Sequence, residues 1–346
     1  MRHLLALALS LVTKTAALAA PVVIGHRGAA GERPEHTLES YRVAINAGAD
    51  FIEPDLVSTS DGVLVARHEN EIGSTTDVAA HPEFVARRTT KTIDGTRVTG
   101  WFTEDFTLAE LKTLRARERL PDLRVANTAW DGQFDVPTFA EILSLASDAT
   151  AATGRTIGVY PETKHPSYFA AIGLPLERRL VDQLDAAGYR DAADAAFIQS
   201  FEVGNLKALR RMTRLRLIQL IDSGHPADDS TTSYDDIVTP HGLRQISTYA
   251  DGIGPAKARI VPRDSIGRSL GPTTLVADAH AAGLVVHPWT FRAENAFLPL
   301  ELRHGDDPAE RGDAIAEVAQ FLALGVDGVF ADSPAIAVAA RAGVML

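Results

Sequence analysis

Eight short apolar runs alternating with amphipathic stretches set the strongest limit on what this chain can fold into. The runs are Val22 to Ile24, Phe51 to Val57, Thr156 to Tyr160, Ala196 to Gln199, Leu215 to Ile221, Gly252 to Ile253, Leu284 to Pro288 and Gly328 to Ala331. They read as strands. Between them lie helix candidates: Thr37 to Ala47, Thr138 to Ala146, Pro175 to Ala187, Glu202 to Met212, Pro272 to Ala282 and Asp313 to Leu324, many opened by a Thr, Pro or Asp cap. Strand followed by helix, repeated, implies a parallel sheet, either open and doubly wound or closed into a barrel. With 346 residues and 45% apolar content, the chain can bury the core that either needs.

What favours closure is where the reactive side chains fall. His26 and Arg27 close the first run, Glu53 and Asp55 lie on the second, Glu162 and Lys164 follow the third, His287 and Trp289 end the seventh, and Asp332 ends the eighth. In a (β/α)8 barrel the site is built from the carboxyl ends of several strands. An open nucleotide-binding sheet would instead carry GxGxxG or GxxxxGK, and neither occurs. The expected fold is therefore α/β, a (β/α)8 TIM barrel over residues 21–346, with an extended insertion after the second strand. Residues 1–20 read as a secretory signal peptide, from the basic start Met1-Arg2-His3, the apolar run Leu4 to Val12 and the small residues Ala17-Leu18-Ala19. That run is too short for a stable membrane anchor. Export without a single cysteine leaves stability to the core and to a bound ion. A net charge of −11 and no basic tract disfavour nucleic acid as a partner and leave carboxylates for a hard cation.

Glu53 and Asp55, two positions apart on an apolar strand, share a face with Cα atoms roughly 6.5 Å apart. Two carboxylates so close repel unless a cation lies between them, and Glu162 on the neighbouring strand offers a third oxygen ligand. Most Asp-Glu pairs are simply solvated, but Phe51 and Leu56 flank this one. Calcium, with magnesium as the alternative, suits an all-oxygen site. Asp61-Gly62 is a hairpin turn that would fold Val63 to Arg67 back and carry His68 over the barrel mouth. A lone histidine after a strand is usually a surface or core residue. Two beside a metal and cations suit a general acid and a general base.

The ordered set His26-Arg27-Gly28, Arg33-Pro34-Glu35-His36-Thr37-Leu38-Glu39, Glu53-Pro54-Asp55, Asp61-Gly62 through His68-Glu69, Glu162-Thr163-Lys164, Gln199-Ser200-Phe201 and Gly328 to Pro334 resembles the glycerophosphodiester phosphodiesterases, in their exported branch. The resemblance implies His26 and His68 as the acid and base pair, Arg27 and Lys164 on the phosphate, and Glu53, Asp55 and Glu162 on a divalent cation, commonly calcium. The reaction implied is hydrolysis of glycerophosphocholine, glycerophosphoethanolamine and similar diesters to sn-glycerol 3-phosphate and an alcohol. His36 stands where the family often has Asn, which alters local hydrogen bonding. Glu35 is expected to support the site or cap the first helix, not to ligate.

Trp289 is expected to line the cleft against the substrate's glycerol carbons, and Asp332 to orient a site residue or cap a loop. His165, His225 and His241 read as surface residues. The long excursion Glu69 to Arg155 and the polar stretch Asp222 to Arg244 could each bound the head group. Two other classes fit the same residues: a phospholipase D-type lyase acting on lysophospholipids, and a silent barrel that binds a phosphorylated ligand.

Overall fold

The computed structural model describes residues 20–344; the expected signal peptide lies, except for Ala20, outside them. Thirteen strands form among the described residues. They are β1 (Val22–His26), β2 (Phe51–Glu53), β3 (Asp55–Ser58), β4 (Leu64–Ala66), β5 (Thr89–Ile93), β6 (Thr96–Gly100), β7 (Gly158–Val159), β8 (Glu162–Thr163), β9 (Phe197–Ser200), β10 (Arg216–Ile221), β11 (Gly252–Pro255), β12 (Val285–Val286) and β13 (Gly328–Ala331).

The second expected strand is broken at Pro54, and the third runs on past Pro161 as a second piece, because neither proline has an N–H to give to the ladder. The run Phe51 to Val57 thus becomes β2, paired with β1 and β7, and β3, paired with β4 and β8. The carbonyls still carry the sheet across each break: Glu162 N–H bonds Pro54 O at 2.9 Å, and Gln199 N–H bonds Pro161 O at 2.9 Å. Counting each broken pair as one stave gives eight parallel staves in chain order, β1, β2/β3, β7/β8, β9, β10, β11, β12 and β13. The ring closes where Asp327 N–H bonds Val286 O at 2.9 Å and Phe330 N–H bonds Pro288 O at 3.1 Å. The fold is the expected (β/α)8 barrel.

Inside the ring a compact apolar plug of Ile24, Phe51, Tyr160, Phe197, Ile218 and Phe330 fills the floor, with the Tyr160 and Phe197 rings stacked at 4.7 Å. A second, larger core lies between strands and outer helices. The helices begin where capping chemistry allows. Thr37 accepts from Ser40 N–H ahead of the helix Leu38–Asn46, Thr138 forms a capping box with Glu141 ahead of Phe139–Thr153, and Asp313 caps Ala314–Ala323. The expected Pro175 and Pro272 starts shift inward to Glu177 and Leu275, which lack a side-chain cap.

The insertion proper runs from Glu69 to Pro137, since Phe139–Thr153 is already a barrel helix packed on the outside. It holds the β5/β6 hairpin, turned at Asp94-Gly95 with both residues at positive φ, and several short 3-10 turns. No helix among the described residues is long and apolar enough to cross a membrane.

Candidate active site

One cavity of about 300 Å³ opens at the carboxyl ends of the staves, lined by His26, Arg27, Glu53, His68, Glu162, Lys164 and Trp289. Seven of the eight residues expected to act in catalysis, substrate binding or metal binding meet there; the eighth, Asp55, lies just behind. A larger depression of about 890 Å³ sits between the outer helices Phe139–Thr153 and Glu177–Ala186 and shares no residue with it.

His26 is the last residue of β1, and the backbone then turns sharply. Arg27 is at φ +54° and Gly28 at φ +90°. Gly28 is required by space as well: a Cβ there would stand 2.4 Å from Ser40 Oγ and 2.6 Å from the Ser40 carbonyl carbon. The turn aims the Arg27 N–H at Glu53 Oε2, 2.7 Å away. His26 Nδ1 lies 2.5 Å from Asp332 Oδ1. Burial would raise Asp332, but Arg124, Arg292 and His26 hold it well below the usual carboxylate range. An ionised carboxylate only accepts, so Nδ1 carries the proton and Nε2 is the free nitrogen. Burial, then Arg27, lowers His26 to about 4, so it is neutral at pH 7.

His68 follows β4, returned over the mouth by the expected Asp61-Gly62 hairpin. Its Nδ1 meets Glu69 Oε1. Burial, then Arg27 and Lys164, lowers it below the usual imidazole range.

Glu53, Asp55 and Glu162 are buried, and a ligand oxygen from each falls within 4.8 Å of the others. A solvated acidic face is thereby ruled out. Burial, with Asp55 and Glu162 adding repulsion, holds Glu53 well above the usual carboxylate range. Burial also lifts Glu162 to about 8, Asp55 outweighed in part by Lys164, whose Nζ is 2.8 Å from Glu162 Oε1. Asp55 stays low against its own burial because Lys164 and His36 favour the anion. Its Oδ1 is buried without a hydrogen-bond partner. Three converging carboxylates, two of them pushed toward protonation and one with an orphaned oxygen, fit a hard divalent cation.

The family model for the glycerophosphoryl diester phosphodiesterase family matches residues 26–336. The chain belongs to this family. It is 40% identical over 326 residues to a glycerophosphodiester phosphodiesterase of Arabidopsis thaliana, covering 90% of this chain and 83% of that protein. A glycerophosphodiester phosphodiesterase of Haemophilus influenzae is 29% identical, over 90% of this chain and 87% of its own length. Among solved structures, a glycerophosphoryl diester phosphodiesterase from Silicibacter pomeroyi superposes with a TM-score of 0.64 at 22% identity, over 95% of this chain and 96% of that one. A phosphodiesterase from Oleispira antarctica, in complex with the product sn-glycerol-3-phosphate, gives 0.56 at 18% identity, over 93% and 96%.

In this member of the family two arginines of the insertion, neither singled out from the sequence, reach the site. Arg119 bonds Glu35 through Nε at 2.8 Å and Nη2 at 2.5 Å, and also Glu69 at 2.6 Å. Glu35 in turn receives Arg27 Nη1 at 2.8 Å. An alternating chain Arg27, Glu35, Arg119, Glu69 therefore runs to His68. Arg124 does the same for the other histidine: it bonds Asp332 at 2.5 Å, Glu294 at 2.7 Å and Ala30 O at 2.8 Å.

Behind the acidic triad, His36 donates through Nε2 to Asp55 Oδ2 at 2.9 Å and accepts from Tyr41 at Nδ1 at 2.8 Å. It supports a triad carboxylate from a fully buried position. Gln199 Nε2 donates to Glu53 Oε1 at 3.1 Å. Trp289 lines the cavity and donates its indole N–H to Gly254 O at 2.7 Å. His225 and His241 are exposed, but His165 is only partly so and bonds Asp94.

Breaking the Arg124 cluster should be costly, since Asp332 and Glu294 are both buried. Arg124→Met is expected to lower the free energy of unfolding by about 3 kcal/mol, measured by urea titration. A change under about 1 kcal/mol would mean that Arg292, which also reaches Asp332 at 3.0 Å, suffices alone.

Proposed function

We propose that the chain hydrolyses glycerophosphodiesters to sn-glycerol 3-phosphate and an alcohol. The observation that carries this is one cavity lined by two histidines, Arg27, Lys164, Glu53 and Glu162, with Asp55 completing the carboxylate triad just behind it. The family membership and the named activity of the relatives support it.

Glu53, Asp55 and Glu162 would hold a divalent cation, calcium or magnesium. When bound, the cation supplies positive charge against the oxygens on which charge grows. Arg27 and Lys164 bind the phosphate and stabilise the same charge, Arg27 with its guanidinium held by Glu35. His26 and His68 divide the proton work. One takes the proton of the nucleophile, either water or the substrate's neighbouring glycerol hydroxyl; the other protonates the departing alcohol. In the free protein burial, then Arg27 and Lys164, depress His68, and an anion held by those two cations offsets their part of it. Asp332 fixes His26 with Nε2 as the reactive nitrogen.

Phosphorus NMR of the products tests the reading. Glycerophosphocholine should yield sn-glycerol 3-phosphate. Cleavage of lysophosphatidylcholine to a stable cyclic phosphate, with glycerophosphocholine untouched, would place the chain among lyases instead.

Cation binding should depend on pH in a defined direction. Glu162, at about 8, holds a proton at pH 7 when no cation is present, and the cation must displace it. Calorimetric Kd values for calcium should tighten by at least about tenfold per unit between pH 6 and pH 8, because Glu53, also held high by burial, has a proton to release as well. A Kd that does not move over this range would exclude Glu162 as a ligand.

We further infer export directed by residues 1–20 and removal of that leader. A mature N-terminus near Pro21, read by mass spectrometry of secreted protein, supports this; an intact Met1 on that material opposes it.

A further inference from the structure

A second cavity of about 280 Å³ adjoins the first, and Glu162, Lys164, Phe201 and Asp222 line both. A diester whose phosphate lies at Lys164 therefore has two places for its two alcohols. Trp289 lies on the first cavity and not on the second. The second is walled by both insertions: Asp94 comes from the turn of the β5/β6 hairpin, and Tyr234 from the polar stretch after β10.

Its chemistry is anionic and aromatic. Asp222 is exposed at the end of β10, and no protein donor bonds its carboxylate among the described residues, since Arg259 bonds only its backbone carbonyl. Glu202 is buried, and its bonding partners are the hydroxyl and backbone N–H of Ser167 rather than a cation. Asp94 is met by His165 at 2.5 Å. Lys164 also lines the wall, but Glu162 answers its charge at 2.8 Å. Burial, with Asp228 and Asp94 adding repulsion, pushes the Glu202 carboxyl up to about 7, so a cation placed beside it would draw it toward its charged form.

The aromatic wall already receives an ammonium group: Lys164 Nζ stands 5.6 Å from the centre of the Phe201 ring. Tyr234 meets Phe201 edge-on at 6.4 Å, presenting a second ring.

We propose that this cavity is the head-group site and selects leaving alcohols that carry a positively charged nitrogen, with Asp222 as a specificity-determining residue. The inference rests on the phosphodiesterase reading above and adds to it a preference for cationic over neutral head groups and the residue that sets it. A trimethylammonium or primary ammonium group on a two-carbon alcohol meets the carboxylate field at its nitrogen and the Phe201 and Tyr234 rings at its methyl or methylene groups. A neutral polyol of similar size gains neither. The charge discrimination is electrostatic, so it weakens with salt.

The test compares kcat/KM for glycerophosphocholine with that for glycerophosphoglycerol, a neutral-head-group diester, by release of sn-glycerol 3-phosphate. The parent protein should favour the cationic substrate by about tenfold at low ionic strength. Asp222→Asn should reduce that ratio by about threefold, and Asp222→Lys should abolish or invert it, mostly through KM. Thermal unfolding of the two variants alongside the parent ensures that the comparison is between folded proteins. A parent ratio near one, or a ratio that stays the same in both variants while both substrates are cleaved, overturns the head-group assignment and leaves the phosphodiesterase reading intact. Failure of the parent to cleave either substrate overturns both.

Discussion

His26→Ala is expected to lower kcat about a thousandfold while the protein stays folded. Loss of a positioned proton-transfer group typically costs between about a hundredfold and ten-thousandfold. The fold should tolerate the change, because the imidazole borders the cavity and its one hydrogen-bonding partner, Asp332, keeps Arg124 and Arg292. No buried charge is left alone, so the stability change should be about 1 kcal/mol or less. KM should change little, since Arg27 and Lys164, the proposed phosphate ligands, remain. Turnover within about tenfold of the parent, at unchanged thermal stability, would remove His26 from the chemistry.

Glu53→Gln should move activity and stability in opposite directions. With one of three carboxylates neutral, calcium affinity is expected to fall by about a hundredfold and kcat at ambient cation to fall with it. The same change relieves a repulsion: in the cation-free protein Glu53 is held well above the usual carboxylate range by burial, Asp55 and Glu162. The new amide still accepts from Arg27 N–H. The Gln199 amide can turn so that its unpartnered Oε1 receives the new N–H group. The cation-free variant should therefore melt at or above the temperature of the cation-free parent, by about 1 kcal/mol of added stability. Calcium should raise the melting temperature of the parent and barely move that of the variant. A variant that binds calcium as the parent does would show that Glu53 is not a ligand.

Much of the site was legible because its residues sit in short, local patterns. His26-Arg27-Gly28 ends an apolar run, Glu53 and Asp55 are two apart, and Asp61-Gly62 marks the hairpin that returns His68. Each signal depends only on strand period or turn chemistry. The division of the second strand at Pro54 was legible in principle, since proline cannot donate to a ladder, whereas the continuation of the third past Pro161 lies beyond the apolar run that marks it. The β5/β6 hairpin carries the same Asp-Gly signal as its neighbour, at Asp94-Gly95. Its strands, however, are mostly polar and exposed, so period-2 burial gives them no signature.

Arg119 and Arg124 were not legible in the sequence. Their partners Glu35 and Asp332 lie 84 and 208 residues away, and no local spacing encodes such a pairing. His36 was visible as an unusual residue. Its bond to Asp55 depends on the φ +54° bend that turns its ring inward.

The order of the staves has a kinetic consequence. β1 pairs with β2 on one side and with β13 on the other, so the first stave to be made waits for the last before the ring can close. His26 waits with it, because Asp332, the residue that sets its tautomer, directly follows β13. A chain interrupted between residues 165 and 328 would carry every triad carboxylate, both histidines, Arg27 and Lys164, yet hold an open sheet with an unoriented imidazole. During refolding, regain of turnover should accordingly trail regain of helix signal, reporting the moment at which β1 and β13 meet.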